Sequence, residues 1–429
     1  MNIYKKRIAD KLLAEKLSIM GAVLVIGPKW CGKTTTAEQI AKSVLYIDNP
    51  DTKKQIRELA MIKPKLLLQG ETPRLLDEWQ LTPELWDAVR FEIDHREFHV
   101  GQFILTGSAV PLDKEGKMKV THSGAGRIAR LVMYPMSLYE SGESEGNISL
   151  EKDLFAENKD IFATNKLSLE DIAYLICRGG WPASLSLSKD LSTKVSKEYI
   201  EAIVNTDISK VDEIQRSAEF ARRLLRSYAR NQGAQIPIST IFSDIVKNDN
   251  ESFEENSITA YINALKKLYV IEDVSAWNPN LRSKTAIRTS DTRYFIDPSI
   301  ATAVLGIGPN DLINDLNTMG LLFETLVIRD LRVYADAIDG SLYHYRDKSG
   351  LECDAVIHLR NGKYGLIEIK LGGDKNIEDG ANTLKKLSSK IDTTKMKSPS
   401  FLMVLTAVGK YAYCREDGIY IVPIGCLKD

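Results

Sequence analysis

Apolar residues in the first third of the chain form short continuous runs that alternate with polar, helix-favouring stretches. Four runs have the length of strands: AVLVI (22–26), KLLLQ (65–69), PRLLD (73–77) and QFILT (102–106). Continuous apolar runs are typical of strands covered on both faces, and their alternation with helices indicates a mainly parallel sheet. Residues 1–145 are therefore predicted to form an α/β domain.

The next stretch, residues 146–304, has the spacing of amphipathic helices. Three helical segments, near 218–231, 238–246 and 257–268, precede two strand-like runs, YVIEDVSAW (269–277) and TRYFID (292–297). Three helices followed by a hairpin predict a winged-helix-like module at about 215–300.

Residues 305–429 return to a mixed α/β pattern. Their strand-like runs are SLYHYR (341–346), CDAVIHL (353–359), YGLIEIK (364–370) and FLMVLT (401–406). Polar, glycine-rich linkers are predicted at 142–147 and 305–311. The 429 residues thus divide into three predicted domains, in line with about 150 residues per domain.

Composition narrows the class of protein. Lys+Arg is 57 and Asp+Glu is 58, so the net charge is −1 and any nucleic-acid surface must be local. The apolar runs are too short to cross a bilayer, and the charged N-terminus lacks the apolar core of a signal peptide. The five cysteines form no C-x-x-C pair, which argues against a zinc site or a disulfide framework. A soluble, cytoplasmic protein without a membrane span is expected.

The strongest chemical motif follows the first predicted strand. Residues 27–34 read G-P-K-W-C-G-K-T and match G-x-x-x-x-G-K-[ST]. The glycines let backbone N–H groups face phosphates, and the next helix begins there with partial positive charge. Lys33 is expected to neutralise the β- and γ-phosphates of ATP, and the Thr34 hydroxyl to bind Mg²⁺. The predicted nucleotide-binding set is Gly27, Pro28, Lys29, Trp30, Cys31, Gly32, Lys33, Thr34 and Thr35.

Hydrolysis needs acids at the ends of neighbouring strands. Asp77 is expected to hold Mg²⁺, and Glu78 to act as the general base toward water. The alternative is a surface acidic pair that caps the helix starting near Thr82. Thr106 and Ser108, after the next strand, are candidates for sensing the γ-phosphate, although Thr-Gly-Ser is also ordinary turn chemistry.

A pair of arginines flanks the strand-like run that follows. Arg127 is a candidate arginine finger, reaching a γ-phosphate in its own subunit or in a neighbouring one of a homo-oligomer. The alternative is that Arg127 and Arg130 are simply solvated.

These motifs carry a family resemblance over nearly the whole chain. GPKWCGKTT, LLDEWQ, ILTGSA and GAGRIARLVMYPMSLYE resemble AAA+-like ATPases of archaea and bacteria that carry a C-terminal domain of unknown function. RGGWPASL (178–185), FETLVIRDL (323–331), YRDKSGLECDAVI (345–357) and LIEIKLG (366–372) are similar to the second half of that architecture. The resemblance implies ATP binding more firmly than any pathway.

The predicted wing is rich in cations, which suit phosphate contacts on DNA. The nucleic-acid candidates are Lys266 and Lys267 on the third helix and Arg282, Lys284, Arg288 and Arg293 on the wing. A solvated loop or a protein-contact surface remains the alternative.

Charged residues interrupt two apolar strands near the C-terminus. Glu368 and Lys370 lie two residues apart and so project from one face, and a hairpin can bring Asp354 beside them. With Glu324 on the preceding helix, the order resembles the PD-(D/E)XK nuclease core. That resemblance implies that Asp354, Glu368 and Glu324 hold Mg²⁺ and that Lys370 orients the attacking water. An exposed cross-strand salt bridge is the alternative.

The sequence therefore predicts a Mg²⁺-dependent ATPase that couples ATP to action on DNA. The alternative is an ATP-dependent signalling switch or protein scaffold whose nuclease-like domain is inactive.

Overall fold

The computed structural model describes residues 4–96, 99–107, 124–246, 255–279 and 290–429. They fall into two compact units. The first comprises the chain through Tyr134 with Ile203–Ser217 and Asn263–Tyr269, and the second comprises Pro135–Ala202, Ala218–Ile262 and Val270–Asp429. The three-domain division, with boundaries near 145 and 304, stays a prediction.

The secondary structure of the described residues is as follows. The helices are α1 (Ile8–Ile19), α2 (Lys33–Glu38), α3 (Lys53–Ile62), α4 (Glu84–His95), α5 (Leu138–Ser141), α6 (Leu169–Arg178), α7 (Lys189–Ser192), α8 (Val195–Ala202), α9 (Ile208–Lys210), α10 (Ala218–Arg230), α11 (Ile238–Val246), α12 (Glu255–Lys267), α13 (Pro298–Leu305), α14 (Pro309–Asn314), α15 (Leu316–Ala337) and α16 (Asp374–Lys390). The strands are β1 (Ala22–Ile26), β2 (Ser43–Tyr46), β3 (Arg74–Asp77), β4 (Phe103–Thr106), β5 (Ile128–Val132), β6 (Ile148–Ser149), β7 (Phe162–Thr164), β8 (Gly340–Arg346), β9 (Glu352–Leu359), β10 (Tyr364–Lys370), β11 (Phe401–Thr406), β12 (Tyr411–Cys414), β13 (Ile419–Pro423) and β14 (Leu427–Lys428). Short 3₁₀ turns lie at Pro64–Leu66, Trp79–Leu81, Pro182–Ser186 and Ile424–Cys426, and π-helical turns at Leu150–Leu154 and Ile203–Asp207.

The first unit is built on a five-stranded sheet in the order β2-β3-β4-β1-β5. Every pair of neighbouring strands is parallel. All residues of β1 and β4 are buried, because both faces of the sheet are covered. The predicted parallel α/β sheet is confirmed, and the carboxyl ends of β1, β3 and β4 lie side by side.

One predicted strand is wrong. KLLLQ (65–69) is not in the sheet: Pro64 begins a 3₁₀ turn, and Leu67 and Leu68 are buried in the hydrophobic core from that turn. The fixed φ of proline suits the first position of a helical turn. The edge strand is instead β2, which is not among the four predicted runs. The helix after the glycine-rich loop, α2, ends at Glu38; its run of β-branched threonines has low helix propensity.

The second unit contains a seven-stranded mixed sheet in the order β7-β12-β13-β11-β10-β9-β8. The four strands predicted in residues 305–429 are present as β8, β9, β10 and β11. β9 and β10 are antiparallel, whereas β10 and β11 are parallel. The apolar side of α16 packs on this sheet, with Ala381, Leu384 and Leu387 buried.

The three helices predicted in the middle region are present as α10, α11 and α12. Antiparallel bridges join Ile271 to Phe295 and Val274 to Thr292. The backbone of Arg293 also exchanges hydrogen bonds with the segment after α10: Gly233 N donates to Arg293 O, and Arg293 N to Ala234 O. The winged-helix assignment stays a prediction.

None of the described helices combines the length and the apolar composition that crossing a bilayer requires.

Candidate functional site

The loop between β1 and α2 has a backbone that requires its two motif glycines. Gly27 has φ 145°, and a Cβ there would lie 2.1 Å from the carbonyl oxygen of Met133. Gly32 has φ 97° and immediately precedes the first residue of α2. Side chains are strongly disfavoured at both positions, so glycine allows the chain to curl tightly between strand and helix.

Lys33 is the first residue of α2, and its side chain reaches back to this loop. Its Nζ donates to the carbonyl oxygens of Gly27, at 3.0 Å, and Pro28, at 2.7 Å. The residue is only 8% exposed, and no described carboxylate lies within ion-pair distance of it. Its hydrogen-bond acceptors are carbonyl dipoles without net charge, which compensate a buried ammonium only in part. The loop therefore suits an anion such as a phosphate group.

Two hydroxyls, one from the first turn of α2 and one from the end of β4, converge on Asp77. Thr34 Oγ1 donates to Asp77 Oδ1 at 2.7 Å, and Thr106 Oγ1 donates to the same oxygen at 2.5 Å. Asp77 is buried at the carboxyl end of β3. The structure thus brings together three residues that the sequence places more than one element apart. Hydroxyl and carboxylate oxygens are ligands that Mg²⁺ prefers, so this group fits the ion.

Glu78 follows Asp77 directly and has a left-handed backbone conformation with φ 56°, which is uncommon for a residue other than glycine. Burial, together with the charge of Asp77, raises the pKa of its carboxyl group. The side-chain amide of Gln80 donates to Glu78. The alternative of a surface acidic pair is wrong for Asp77, which is buried and accepts hydrogen bonds from Thr34 and Thr106, and no described side chain caps α4, which begins at Glu84.

The turn after β4 packs against the same group. A Cβ on Gly107 would lie 2.3 Å from Gln80 Oε1, so the glycine allows close approach. Ser108, the other hydroxyl predicted there, lies outside the described residues.

Two long-range contacts to the loop were not predictable from the motif. Arg7 donates from Nη1 to Cys31 O and from Nη2 to Tyr134 O, both at 2.8 Å. Lys29 Nζ forms an ion pair with Asp207 Oδ1 at 2.7 Å. Arg7 and Asp207 stand far from the loop in sequence, and no spacing rule connects them with it.

Arg127 does not lie near the glycine-rich loop of its own chain. It precedes β5, whose first residue, Ile128, is paired with Ala22 at the start of β1. The loop begins after Ile26, at the carboxyl end of β1, whereas Arg127 lies at the amino end of the strands. At 3.3 Å per residue, the loop and Arg127 are about 16 Å apart along β1. Arg127 instead pairs with Asp94, at 2.7 Å and 3.0 Å. An arginine finger acting within one chain is therefore wrong for Arg127.

The predicted nucleic-acid residues have different outcomes. Arg282, Lys284 and Arg288 lie outside the described residues. Arg293 forms a 2.7 Å ion pair with the buried carboxylate of Asp273, and its side chain is only 12% exposed. Its guanidinium is thus not a solvent-facing cation of a wing, which corrects the expectation for this residue. Lys267 lies 3.7 Å from Asp212, and Lys266 is half-buried.

In the second unit, Lys370 lies between two carboxylates. Its Nζ is 2.7 Å from Glu368 Oε2 and 3.2 Å from Asp354 Oδ2. The backbone N–H of Ile369 also donates to Asp354 Oδ2, at 2.7 Å. The hairpin of β9 and β10 therefore brings these three predicted residues together. Glu368 is buried, so the group is not an exposed salt bridge.

Glu324 and Asp354 line one small cavity of about 30 Å³. Burial and the charge of Asp354 raise the pKa of Glu324 to about 8, and the same two causes raise the pKa of Glu368 to about 8. The Tyr294 hydroxyl donates to Glu324. Within the described ranges, no three His, Cys, Asp or Glu side chains are arranged to hold a metal. The predicted metal set thus remains a prediction.

These shifts predict a pH-dependent stability. A carboxyl whose pKa is about 8 in the folded state and 4.5 ordinarily binds its proton more tightly when folded. Stability is therefore present at low pH and is lost as pH rises from about 4.5 to about 8. Glu324→Gln cannot ionise, so we expect its melting temperature to exceed that of the wild type by a few degrees at pH 9, and by less at pH 5. Thermal unfolding in Mg²⁺-free buffer measures the difference; an equal difference at both pH values would contradict the shift.

Three family models match separate stretches of the chain. They are an AAA domain at residues 20–142, a domain of unknown function (DUF8612) at 169–311 and a second one (DUF4143) at 319–427. The first match contains the glycine-rich loop, Asp77, Glu78 and Thr106. Residues 20–142 are thus similar to an AAA domain. The AAA match and the loop geometry agree on a P-loop ATPase fold that binds ATP. The two domains of unknown function carry no description of an activity.

More distant similarities extend over most of the chain. Uncharacterized proteins of Mycobacterium bovis and Mycobacterium tuberculosis are each 24% identical over 370 residues, which cover 86% of this chain and 74% of each relative. The Walker-type ATPase PABY2304 of Pyrococcus abyssi has 15% identity and a TM-score of 0.42, covering 71% of this chain and 96% of its own. A single-substitution variant of Thermotoga maritima RuvB has 15% identity and a TM-score of 0.28, covering 61% and 87%. The P-loop assignment depends on the family match and the site geometry, not on these two structures.

Proposed function

We propose that the protein is a Mg²⁺-dependent ATPase that couples ATP binding and hydrolysis to action on DNA. The observation that carries the ATPase part is the convergence of Thr34 and Thr106 on Asp77, next to the poorly compensated ammonium of Lys33. This is a cation-ligand group beside an anion-binding loop, as a metal-bound triphosphate requires.

Each residue of the site has one proposed task. Lys33 and the amides of residues 27–34 hold the phosphates, and Thr34 and Asp77 hold Mg²⁺, which neutralises charge that develops on the phosphates. Glu78 accepts a proton from the attacking water, a task for which a raised pKa is suitable. Thr106 orients Asp77. An arginine finger, if Arg127 supplies one, requires a second copy of the chain.

The DNA part of the proposal is supported by the pattern of α10 to α12 with its antiparallel bridges, and by the group of Asp354, Glu368 and Lys370. A lysine between two carboxylates on neighbouring strands is the arrangement that the nuclease resemblance implies. In the predicted C-terminal domain, residues 305–429, Asp354 and Glu368 would hold Mg²⁺ for cleavage, and Glu324 would be a third metal ligand. In the alternative function, a signalling switch, the same group only stabilises the fold.

Two assays on purified protein separate these functions. ATP turnover is measured with and without duplex DNA, at 50 and 200 mM salt, and cleavage of the DNA is followed in Mg²⁺. We expect DNA to stimulate turnover, and the stimulation to fall steeply with salt because phosphate contacts release counterions. An ATP turnover rate that is the same with and without DNA would favour the signalling switch. Cleavage that persists unchanged in both Asp354→Ala and Lys370→Ala would refute the nuclease role.

A further inference from the structure

We infer that α10 and α11 form a phosphate-binding cavity that grips the backbone of duplex DNA. The inference rests on the proposed action on DNA and names a surface for it on residues outside the nucleotide site and the predicted wing. The cavity, in the second unit, has a volume of about 240 Å³. Its lining residues are Arg223, Arg226, Ser227, Arg230, Asp244 and Ile245.

The three arginines form one row along α10. Positions 223, 226 and 230 are three and four residues apart, so their side chains project from the same side of the helix. The opposite side of α10 is apolar and packed in the core, with Phe220, Leu224 and Tyr228 buried. The position of the row is thus fixed by the packing of a core helix, which makes it a rigid element for ligand contact.

Two arginines of the row form no side-chain contact with a carboxylate among the described residues. Arg222 pairs with Glu201 at 2.6 Å, and Arg223 pairs with Glu219 at 2.7 Å. Arg226 and Arg230, in contrast, are exposed, and their side chains form no hydrogen bond or ion pair within the described part of the chain. They are four residues apart, a spacing at which like charges destabilise a helix by a few tenths of a kcal/mol. An anionic ligand would remove that repulsion.

Asp244 is the one carboxylate that lines the cavity. Its Oδ2 accepts a hydrogen bond from Ser227 Oγ at 3.0 Å, and no arginine of the row lies within ion-pair distance of it. Because Arg223 is paired with Glu219, the two guanidiniums of Arg226 and Arg230 face one carboxylate, and the lining keeps a small positive excess in a chain whose net charge is −1. Such an excess attracts a polyanion to this surface.

The length of the row favours a polymer over a compact anion. Seven residues of α-helix span about 10 Å, whereas the phosphates of one strand advance about 3.4 Å per nucleotide along the axis. Arg226 and Arg230, about 6 Å apart along the helix axis, can therefore contact neighbouring phosphates. Guanidinium groups are well suited to this, because their forked donors match phosphate oxygens.

The test measures binding of the full-length chain to a fluorescently labelled 20-base-pair duplex between 50 and 300 mM salt. Arg226→Ala/Arg230→Ala is compared with Arg57→Ala, which removes a charge from an exposed position on α3. We expect the double variant to bind roughly tenfold more weakly at 100 mM salt, with a salt slope lower by about two, one unit per lost phosphate contact. The control and Arg226→Lys/Arg230→Lys should retain most of the affinity. Asp244→Asn should bind about twofold more tightly.

Each other result overturns the inference in a recognisable way. If the double alanine variant keeps the wild-type affinity for the duplex and the wild-type salt slope, this surface does not bind DNA. Loss of binding to millimolar inorganic phosphate, with duplex binding unchanged, would make the cavity a site for a small anion. ATP turnover without DNA should be the same in wild type and double variant. A wild type that hydrolyses ATP but binds no duplex at 50 mM salt would overturn this inference and leave the ATPase intact.

Discussion

Lys33→Ala is expected to lower ATP turnover at least about a hundredfold and to weaken ATP binding strongly. The ammonium is buried against the carbonyls of Gly27 and Pro28, without a described carboxylate to balance it. Alanine removes the buried positive charge beside the loop, whose other lysine, Lys29, is paired with Asp207. Single donors aimed at developing charge are commonly worth a hundredfold or more in rate. Steady-state hydrolysis and calorimetric titration with ATP measure the two effects.

A matched control is Lys42→Ala, which removes an exposed lysine between α2 and β2. Its turnover should stay near that of the wild type, so a general charge effect would be seen in both variants. Normal hydrolysis by Lys33→Ala would refute the phosphate-binding role of the loop. Weak hydrolysis together with an equally lowered melting temperature would point to a folding defect, and for that reason thermal unfolding is recorded for each variant.

The parts of the nucleotide site that the sequence predicts are those encoded locally. Gly27, Gly32 and Lys33 belong to one motif, and Asp77 ends a recognisable apolar strand. Parallel strands bring their carboxyl ends to one edge, so the meeting of Thr34, Asp77 and Thr106 follows from the topology. Arg7 and Asp207 could not be found in this way, because each reaches the loop from an element whose docking depends on tertiary packing.

The errors have the same cause. KLLLQ (65–69) and β2 exchange roles because an apolar run of five residues does not distinguish a buried strand from a buried turn. Arg127 is a candidate finger within one chain only as long as the register of β5 is unknown. Pairing of Ile128 with Ala22 fixes the register and places the arginine at the far edge of the sheet. Periodicity predicts which face a side chain occupies, but not which end of a sheet it occupies.

The row of arginines on α10 illustrates the complementary case. The row lies on the side of α10 that faces away from the buried Phe220, Leu224 and Tyr228. Sequence alone could not show which of the four arginines of α10 have their charge compensated by a neighbouring carboxylate. Arg222 and Arg223 have carboxylate partners from Glu201 and Glu219, whereas Arg226 and Arg230 have none among the described residues. Only the tertiary structure separates structural cations from those free to bind a ligand.

Glu78→Gln is expected to keep ATP binding near that of the wild type and to slow hydrolysis by about a hundredfold to ten-thousandfold. Glutamine has almost the same volume and can still contact Gln80, so the left-handed turn at this position should persist. It cannot accept a proton from water. The wild-type rate should also rise with pH as Glu78 loses its proton, at a pH above that of an ordinary glutamate because its pKa is raised. That rise should be absent in the variant.

Single-turnover hydrolysis and calorimetric ATP binding, each across pH 4.5 to 8, test these expectations together. Gln80→Ala is the matched control, since it removes a neighbour of Glu78 and leaves the carboxylate. By removing the donor to Glu78, it should move the rise in rate further upward in pH, because that hydrogen bond lowers the pKa, and should reduce the plateau rate far less. If Glu78→Gln instead loses ATP binding while hydrolysing the remainder normally, Glu78 shapes the loop after β3 and the proton acceptor must be another group.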